Sequence, residues 1–384
     1  SALPGQGSIR DLLDLAEPLA MQAFDKDRPL WEFYVVDDLE EGRGALIMKL
    51  HHSVSDGVGL VRMTSSLVER TREPDPRRQH KTPSVLDEAS VSPRGPFEET
   101  LAALRHRAEA NLDRTSRAAG ALGRGLRRLV RDPAEAIRSA AQLVGSVGRT
   151  LRPVSEPMSP IMRGRSLAIH FDAFALPLAD LRHASKAVGG TLNDAFVAAV
   201  TGGLRRYHEH HGEPVPELRM TMPINLREGE RGQRAGNQFA PARFAVPVSI
   251  ADPAQRMRCI REAVSEQRTE PSLSLFEDVA GVLARLPRTL AVNLFGSMLK
   301  SIDFVTSNVP GPPFTVYSGG ARVEQMFGFG PLSGAAANIT LFSYDGQLQL
   351  AINTDPAAIP DAAFFTECLV KGVDEVLSAA GGAH

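Results

Sequence analysis

The sequence predicts an α/β chain (α+β in arrangement) in which strands and helices alternate around two cores. Three observations lead there. Short runs rich in β-branched and aromatic residues are separated by segments with apolar residues at helical spacing. The chain has 384 residues, 43% of them apolar, which is more than one core ordinarily holds. Composition also shifts between Glu73 and Pro96 into Pro, Arg, Asp and Ser, as in a linker. The expected division is residues 1–72, a linker with basic amphipathic crossover helices over 73–165, and a carboxy-terminal part over 166–384.

Ile9 to Phe24 has apolar residues at Ile9, Leu12, Leu13, Leu15, Leu19 and Phe24, which predicts a helix to about Pro18 with a looser continuation. Pro29-Leu30-Trp31 then opens a strand-like run to Val36, and Glu40 to Gly44 reads as a turn. Ala45 to His52 is the returning strand of a hairpin, which brings Trp31 close to the strand that ends in His52. Trp31 is the only Trp, and its default role is packing.

The returning strand runs into His51-His52-Ser53-Val54-Ser55-Asp56-Gly57, ahead of a helix-like segment from Val58 to Arg70. Side chains alternate along a strand, so His52 shares a face with Leu46, Met48 and Leu50, and His51 shares the other with Ala45, Ile47 and Lys49. Only His52 is thereby aimed at the greasier side. A neutral imidazole there, with an ordinary pKa of roughly 6.5, suits proton transfer from a hydroxyl or thiol and back to a leaving group. Asp56 either holds the turn ahead of Gly57 or pairs with an Arg to fix the loop. No metal site is expected from His51, His52 and Asp56, because no third ligand follows at helical spacing.

Beyond the linker, Leu101, Leu104, Ala108, Leu112, Ala119, Leu122, Leu126, Leu129 and Val130 form one helical stripe, with arginines opposite. Between Leu101 and Arg152 there are 11 Arg against four acidic residues. Gly120, Gly123 and Gly125 predict a break, and a second amphipathic piece runs from Ile137 to Leu151. Two compatible readings follow: crossover helices packed on their own protein, or a surface that lies on anionic lipid.

In the remainder, Ser166 to Phe174 reads as a strand and Leu178 to Val188 and Thr191 to His210 as helices, the second led by Thr191-Leu192-Asn193-Asp194. Thr191 suits an N-cap and Asp194 the first turn, so capping stands beside substrate contact for Asn193-Asp194. His208, His210 and His211 lack a cysteine partner and are not expected to hold metal. Strands are expected at Glu217–Ile224, Phe239–Val248, Ile302–Ser307, Val323–Phe329, Asn338–Tyr344 and Leu348–Asn353, with a rigid turn at Asn308-Val309-Pro310-Gly311-Pro312 and another at Asp345-Gly346. Helices are expected at Pro253–Arg268, Phe276–Leu299 and Pro360–Leu377.

A net charge of −2 and the lack of a basic and aromatic run exclude an evident nucleic-acid surface. Two cysteines give no disulfide framework and favour a reducing, cytoplasmic setting. No run of about twenty apolar residues is available to span a bilayer, and no signal peptide is recognisable. The chain opens with a serine, as though inside a domain, so a processed or truncated product is expected.

Taken together, the HHxxxDG stretch, Pro29-Leu30-Trp31, Asn193-Asp194 and Asn308-Val309-Pro310-Gly311-Pro312 resemble the bacterial wax ester synthase/diacylglycerol acyltransferase family. The resemblance covers residues 29–70 and 166–378 closely and the intervening region weakly. HHxxxDG alone is shared across chloramphenicol acetyltransferase-like proteins, condensation domains included. The resemblance implies two such subdomains, each a mixed β-sheet flanked by helices, with a substrate channel between them. It further implies that His52 is the general base, His51 and Gly57 belong to its motif, and Asp56 is a support. Pro29, Leu30 and Trp31 would shape the fatty path, with Asn193 and Asp194 in a further motif and Asn308 at the interface of the halves. Acyl-CoA is the implied co-substrate, with no cofactor, and diacylglycerol or a fatty alcohol the acceptor. Peripheral contact with membrane or lipid droplets is implied as well. Family members usually carry more residues ahead of Pro29, so a separate amino-terminal fragment completing the fold is a further expectation. Two alternatives stand: a condensation-type enzyme with a carrier-protein donor, and a non-catalytic lipid-surface protein of the same fold.

Overall fold

In the computed structural model, the described residues are 5–25, 27–51, 54, 59, 61, 67–73, 156–225, 239–268 and 301–381. The chain divides into two compact units, Ser1–Glu73 with Thr150–His384, and Pro74–Arg149. The basic amphipathic stripe, the linker and the helix expected at Phe276–Leu299 all lie outside the described residues.

The first helix, α1 (Ile9–Met21), starts at a capping box in which the Ser8 hydroxyl and the Asp11 carboxylate each accept the other residue's backbone N–H. It continues past Pro18, where the sequence expectation had it loosen. Pro18 forfeits only its own N–H, and its carbonyl still accepts from Gln22. Strands β1 (Trp31–Leu39) and β2 (Arg43–Leu50) form the expected antiparallel hairpin, pairing Trp31 with Leu50, Phe33 with Met48 and Val35 with Leu46.

The main sheet has six strands: β3 (His170–Pro177), β4 (Glu217–Asn225), β5 (Phe239–Pro247), β6 (Phe304–Pro310), β9 (Ala337–Tyr344) and β10 (Gln347–Thr354). Their order is β3-β10-β9-β6-β4-β5. β6 is parallel to both of its neighbours and the other pairs are antiparallel, so the sheet is mixed as expected. A small hairpin, β7 (Tyr317–Ser318) with β8 (Ala321–Arg322), lies between β6 and β9 in sequence. The tight turn from β9 to β10 is Asp345-Gly346, both with positive φ, which suits the twist of the flanking strands.

Among the described residues four helices accompany the sheet: α2 (Leu178–Ala187), α3 (Leu192–His210), α4 (Pro253–Arg268) and α5 (Ala362–Gly381). Leu218, Met220 and Met222 of β4 and Leu348, Leu350 and Ile352 of β10 pack with Phe196, Val200, Leu204, Leu369 and Val373 in one core. Where α3 and α5 cross, a Cβ on Gly203 would meet Leu369 Cα at 2.8 Å, so only glycine fits.

Two expectations fail here. Val323–Phe329 is not a strand; the chain leaves β8 as a loop whose Met326 N–H bonds a side chain, Gln349 Oε1, instead of a neighbouring strand. Asn308-Val309-Pro310 is not a turn but the end of β6, in parallel register with Leu341, Phe342 and Ser343. The turn begins at Gly311, whose N–H bonds the Ser343 carbonyl at 2.9 Å.

A buried polar knot fixes the segment entering the sheet. The Ser159 hydroxyl lies 2.8 Å from His208 Nε2, and His208 Nδ1 lies 2.8 Å from the Leu204 carbonyl. The imidazole therefore serves as neutral, donating at Nδ1 and accepting at Nε2. The Asp303 carboxylate accepts from the N–H groups of Met158, Ser159 and Arg219. Burial pushes the Asp303 carboxyl above its usual range and His208 below its own. A depressed imidazole adds stability in full above about pH 6.5 and loses it as pH falls toward its folded-state value. His208→Gln is expected to destabilise by about 1–3 kcal/mol at pH 7.5. The deficit relative to wild type should shrink at pH 5.5 in paired denaturation curves.

Candidate active site

The hairpin places the first group of candidate residues. The Trp31 N–H bonds the Pro29 carbonyl at 2.8 Å, and the His51 N–H bonds the Leu30 carbonyl at 3.0 Å. Pro29-Leu30-Trp31 thus braces the end of β2, where His51 leaves the strand. The His51 ring meets Phe24 edge-on at 5.9 Å. His52, Asp56 and Gly57 lie outside the described residues.

The two faces of the hairpin differ from expectation. Trp31, Phe33 and Val35 on β1 and Leu46 and Met48 on β2 are exposed, Trp31 to 50%. Trp31 therefore does not pack in a core; its nearest ring is Phe33, 5.1 Å away. The other face is the half-buried one, where Glu32 accepts from the Tyr34 hydroxyl at 2.7 Å and from Lys49 at 3.2 Å. Those bonds hold the Glu32 carboxyl below its usual range. Alternation separated the faces correctly, but the apolar one is the more exposed.

The second group gathers where the parallel strands end. Asn193 sits in the first turn of α3, and its amide lies 3.5 Å from Met222 Sδ near the end of β4. Asp194 is buried and spent on capping: its carboxylate accepts the Thr191 N–H at 2.8 Å while its own N–H bonds the Thr191 hydroxyl. Asn308 lies toward the end of β6, the strand beside β4. Carboxyl ends of parallel strands are a usual place for ligand sites in α/β sheets.

Residues after Asn308 tie this group to the amino-terminal chain. A Cβ on Gly311 would meet the Ser343 carbonyl at 2.4 Å, so the turn hugs β9. Past it, the Arg70 guanidinium lies 4.3 Å from the Phe314 ring centre. Glu69 and Tyr317 exchange both backbone hydrogen bonds, at 2.7 and 2.8 Å. On the opposite edge, α1 caps β3. The Glu17 carboxylate accepts the Phe171 N–H at 2.9 Å, and Arg10 donates to the Phe171 carbonyl at 2.6 Å. Two side chains of a helix thereby do for the edge strand what a neighbouring strand would. Sequence reasoning missed this clamp, although Arg10 and Glu17 lie two turns apart on one face.

Among the described residues, no group of His, Cys, Asp or Glu is arranged to hold a metal, and no helix is long and apolar enough to cross a membrane.

Residues 1–196 match the model of the wax ester synthase/diacylglycerol acyltransferase catalytic domain, and residues 235–376 that of the family's C-terminal domain. A Mycobacterium tuberculosis protein provisionally named diacylglycerol O-acyltransferase is 36% identical over 380 residues, covering 98% of this chain and 75% of that one. Another from the same organism, named likewise, is 31% identical over 93% of this chain and 74% of its own length. The solved wax ester synthase/diacylglycerol acyltransferase from Marinobacter aquaeolei VT8 superposes with a TM-score of 0.61 at 21% identity, covering 99% of this chain and 78% of that one. The X-domain from teicoplanin biosynthesis shares the fold at a TM-score of 0.50 and 15% identity, over 100% of this chain and 79% of its own. The chain belongs to the wax ester synthase/diacylglycerol acyltransferase family and is an acyltransferase.

Proposed function

We propose that the reaction is transfer of a long-chain acyl group from acyl-CoA to diacylglycerol, giving triacylglycerol, with a fatty alcohol as the second acceptor. The observation that carries this is the catalytic-domain match over residues 1–196, which contains the His51 to Gly57 stretch. The relatives' names put diacylglycerol first.

In the proposed step His52 takes the proton of the acceptor hydroxyl, and the oxygen attacks the thioester carbonyl. The new C–O bond forms, the C–S bond breaks, and the proton passes to the departing CoA sulfur. No Ser or Cys nucleophile on a G-x-S-x-G elbow occurs in the sequence, which favours direct transfer in a ternary complex. The oxyanion of the tetrahedral intermediate needs a hydrogen-bond donor. Asn308 is the candidate for that, beside its part in the interface. Arg or Lys side chains would hold the CoA phosphates. Peripheral attachment to a lipid surface belongs to the same proposal, since diacylglycerol resides there.

Purified protein given labelled palmitoyl-CoA is expected to form triacylglycerol with dioleoylglycerol, and wax ester more slowly with hexadecanol. Absence of both esters would overturn the proposal. The carrier-protein alternative finds support only in a shared fold.

A further inference from the structure

The hairpin turns its polar face to the protein and its apolar face to solvent. Lys49, with a side chain only 10% exposed, donates to the Gln22 carbonyl at 2.6 Å and to Glu32 at 3.2 Å, and stands 4.4 Å from the Phe24 ring centre. The Glu40 N–H bonds the Gly7 carbonyl at 2.9 Å, so residues on both sides of α1 hold the hairpin. The opposite face carries three cross-strand pairs: Trp31 with Leu50, Phe33 with Met48, and Val35 with Leu46. All but Leu50 are exposed, between 38% and 66%. The strip is roughly 13 Å long, and its Trp31 end rests on the brace under His51. By sequence, His52 is the next position on this face.

Five side chains so exposed offer on the order of 400 Å² of apolar surface, the size of a functional patch on a monomer. A stable protein partner takes roughly 800 Å² a side, from about 20–30 residues. The strip is therefore too small for a second copy of this chain to hold by it. Charge narrows the choice further. Beside the turn, Asp37, Asp38, Glu40 and Glu41 are exposed, and Arg43 stands 3.9 Å from Glu41 and 3.8 Å from Glu324. Such a rim repels anionic lipid, which binds where Lys and Arg cluster. An apolar layer under headgroups of no net charge fits both the strip and its rim, and an indole is at home at that boundary.

We infer that this face of the hairpin seats on a zwitterionic lipid surface and takes up the acceptor there, a reading that rests on the acyl transfer to diacylglycerol proposed above. The strands lie along the surface, so that Trp31, Phe33, Val35, Leu46 and Met48 all reach the acyl boundary while the acidic turn stays in water. A diglyceride in that layer meets the strip without crossing water, and the strip leads to the position of His52.

Trp31 is the only tryptophan, so its fluorescence reads this face directly. Mixing the wild-type protein with dioleoylphosphatidylcholine vesicles containing dioleoylglycerol is expected to shift Trp31 emission to the blue, and brominated lipid in the same vesicles to quench it. No shift and no quenching would overturn the inference. Binding that requires phosphatidylglycerol would overturn it too, and would assign the contact to the basic stretch from Leu101 to Arg152. So would a blue shift that grows with protein concentration in buffer alone, the sign of a second copy, or an indole shielded from acrylamide before vesicles are added, the sign of a polypeptide cover. Val35→Glu combined with Leu46→Thr alters two exposed positions at little cost to the fold and keeps Trp31 as reporter. In that variant the KM for vesicle-borne dioleoylglycerol is expected to rise about tenfold or more, with the kinetics on soluble dihexanoylglycerol held. Equal effects on both acceptors, or none on either, would overturn the inference. Vesicle binding with no ester formed from any acceptor would count against the proposed reaction and leave the lipid surface standing.

Discussion

His52→Ala is expected to lower kcat for acyl transfer by about 10²–10⁴-fold, the usual worth of a positioned general base, with KM for palmitoyl-CoA changed little. His51→Ala is expected to do much less. The backbone N–H of His51 holds the Leu30 carbonyl and its ring rests against Phe24, contacts that belong to the brace under the motif. The separation between the two neighbours follows from the alternation of β2, whose Leu46 and Met48 occupy the face that His52 inherits by sequence. Steady-state assays with dioleoylglycerol, run beside near-ultraviolet dichroism to confirm an unchanged fold, check both. A His52→Ala protein that turns over at near the wild-type rate would remove proton transfer at this position from the mechanism. Below about pH 6.5 an ordinary imidazole would be protonated and unable to act as a base, so the wild-type rate should fall there.

The hairpin was readable because its evidence is local. Two strand-like runs around Glu40 to Gly44 leave little choice of register, and Trp31 does face Leu50. The capping box at Thr191 was equally readable from its four-residue spacing. What alternation cannot supply is which face a protein covers. The greasy side of the hairpin reads as core by composition, yet Trp31, Phe33 and Met48 are exposed. The Val323–Phe329 run was misread for a related reason. Its apolar residues suit a strand, but Gly328 and Gly330 follow one another closely, and a Cβ on Gly330 would strike the Asn338 amide at 2.6 Å. Close approach of a loop to a polar sheet face leaves no periodic trace in the loop itself. A faint trace exists in β10, where Gln347, Gln349 and Asn353 alternate with Leu348, Leu350 and Ile352. Gln349 and Asn353, buried polar residues on one face of the strand, were the signal for the loop that bonds them. At the motif itself the residues were readable and their partners were not, because the groups meeting Asn308 and Asn193 come from segments far away in sequence.

Glu375→Ala is expected to be the most damaging single change to the fold, by about 3–5 kcal/mol, as removal of one partner from a buried ion pair commonly is. One carboxylate here serves three arginines. Its Oε1 accepts from Arg205 at 2.8 Å and Arg206 at 2.7 Å, and its Oε2 accepts from Arg256 at 2.7 Å. Arg256 is fully buried between α3 and α4, donating also to the Ala198 and Ile250 carbonyls, both at 2.9 Å. Burial pulls its guanidinium below the usual range, with Glu375 opposing that shift. Without the carboxylate the carbonyls remain, but no negative charge answers the buried cation, and Arg205 and Arg206 add their repulsion. At roughly 2–4 °C per kcal/mol, the melting temperature should drop by on the order of 10 °C. Glu375→Gln keeps two hydrogen-bonding atoms and loses only the charge, so it should fall between. Because the hydrogen bonds of Glu375 go to Arg205, Arg206 and Arg256 and to none of the described motif residues, kcat measured well below the transition should stay at the wild-type value. A Glu375→Ala protein that melts with the wild type would mean that the carbonyls alone hold Arg256, and that α3, α4 and α5 are joined by their apolar contacts instead.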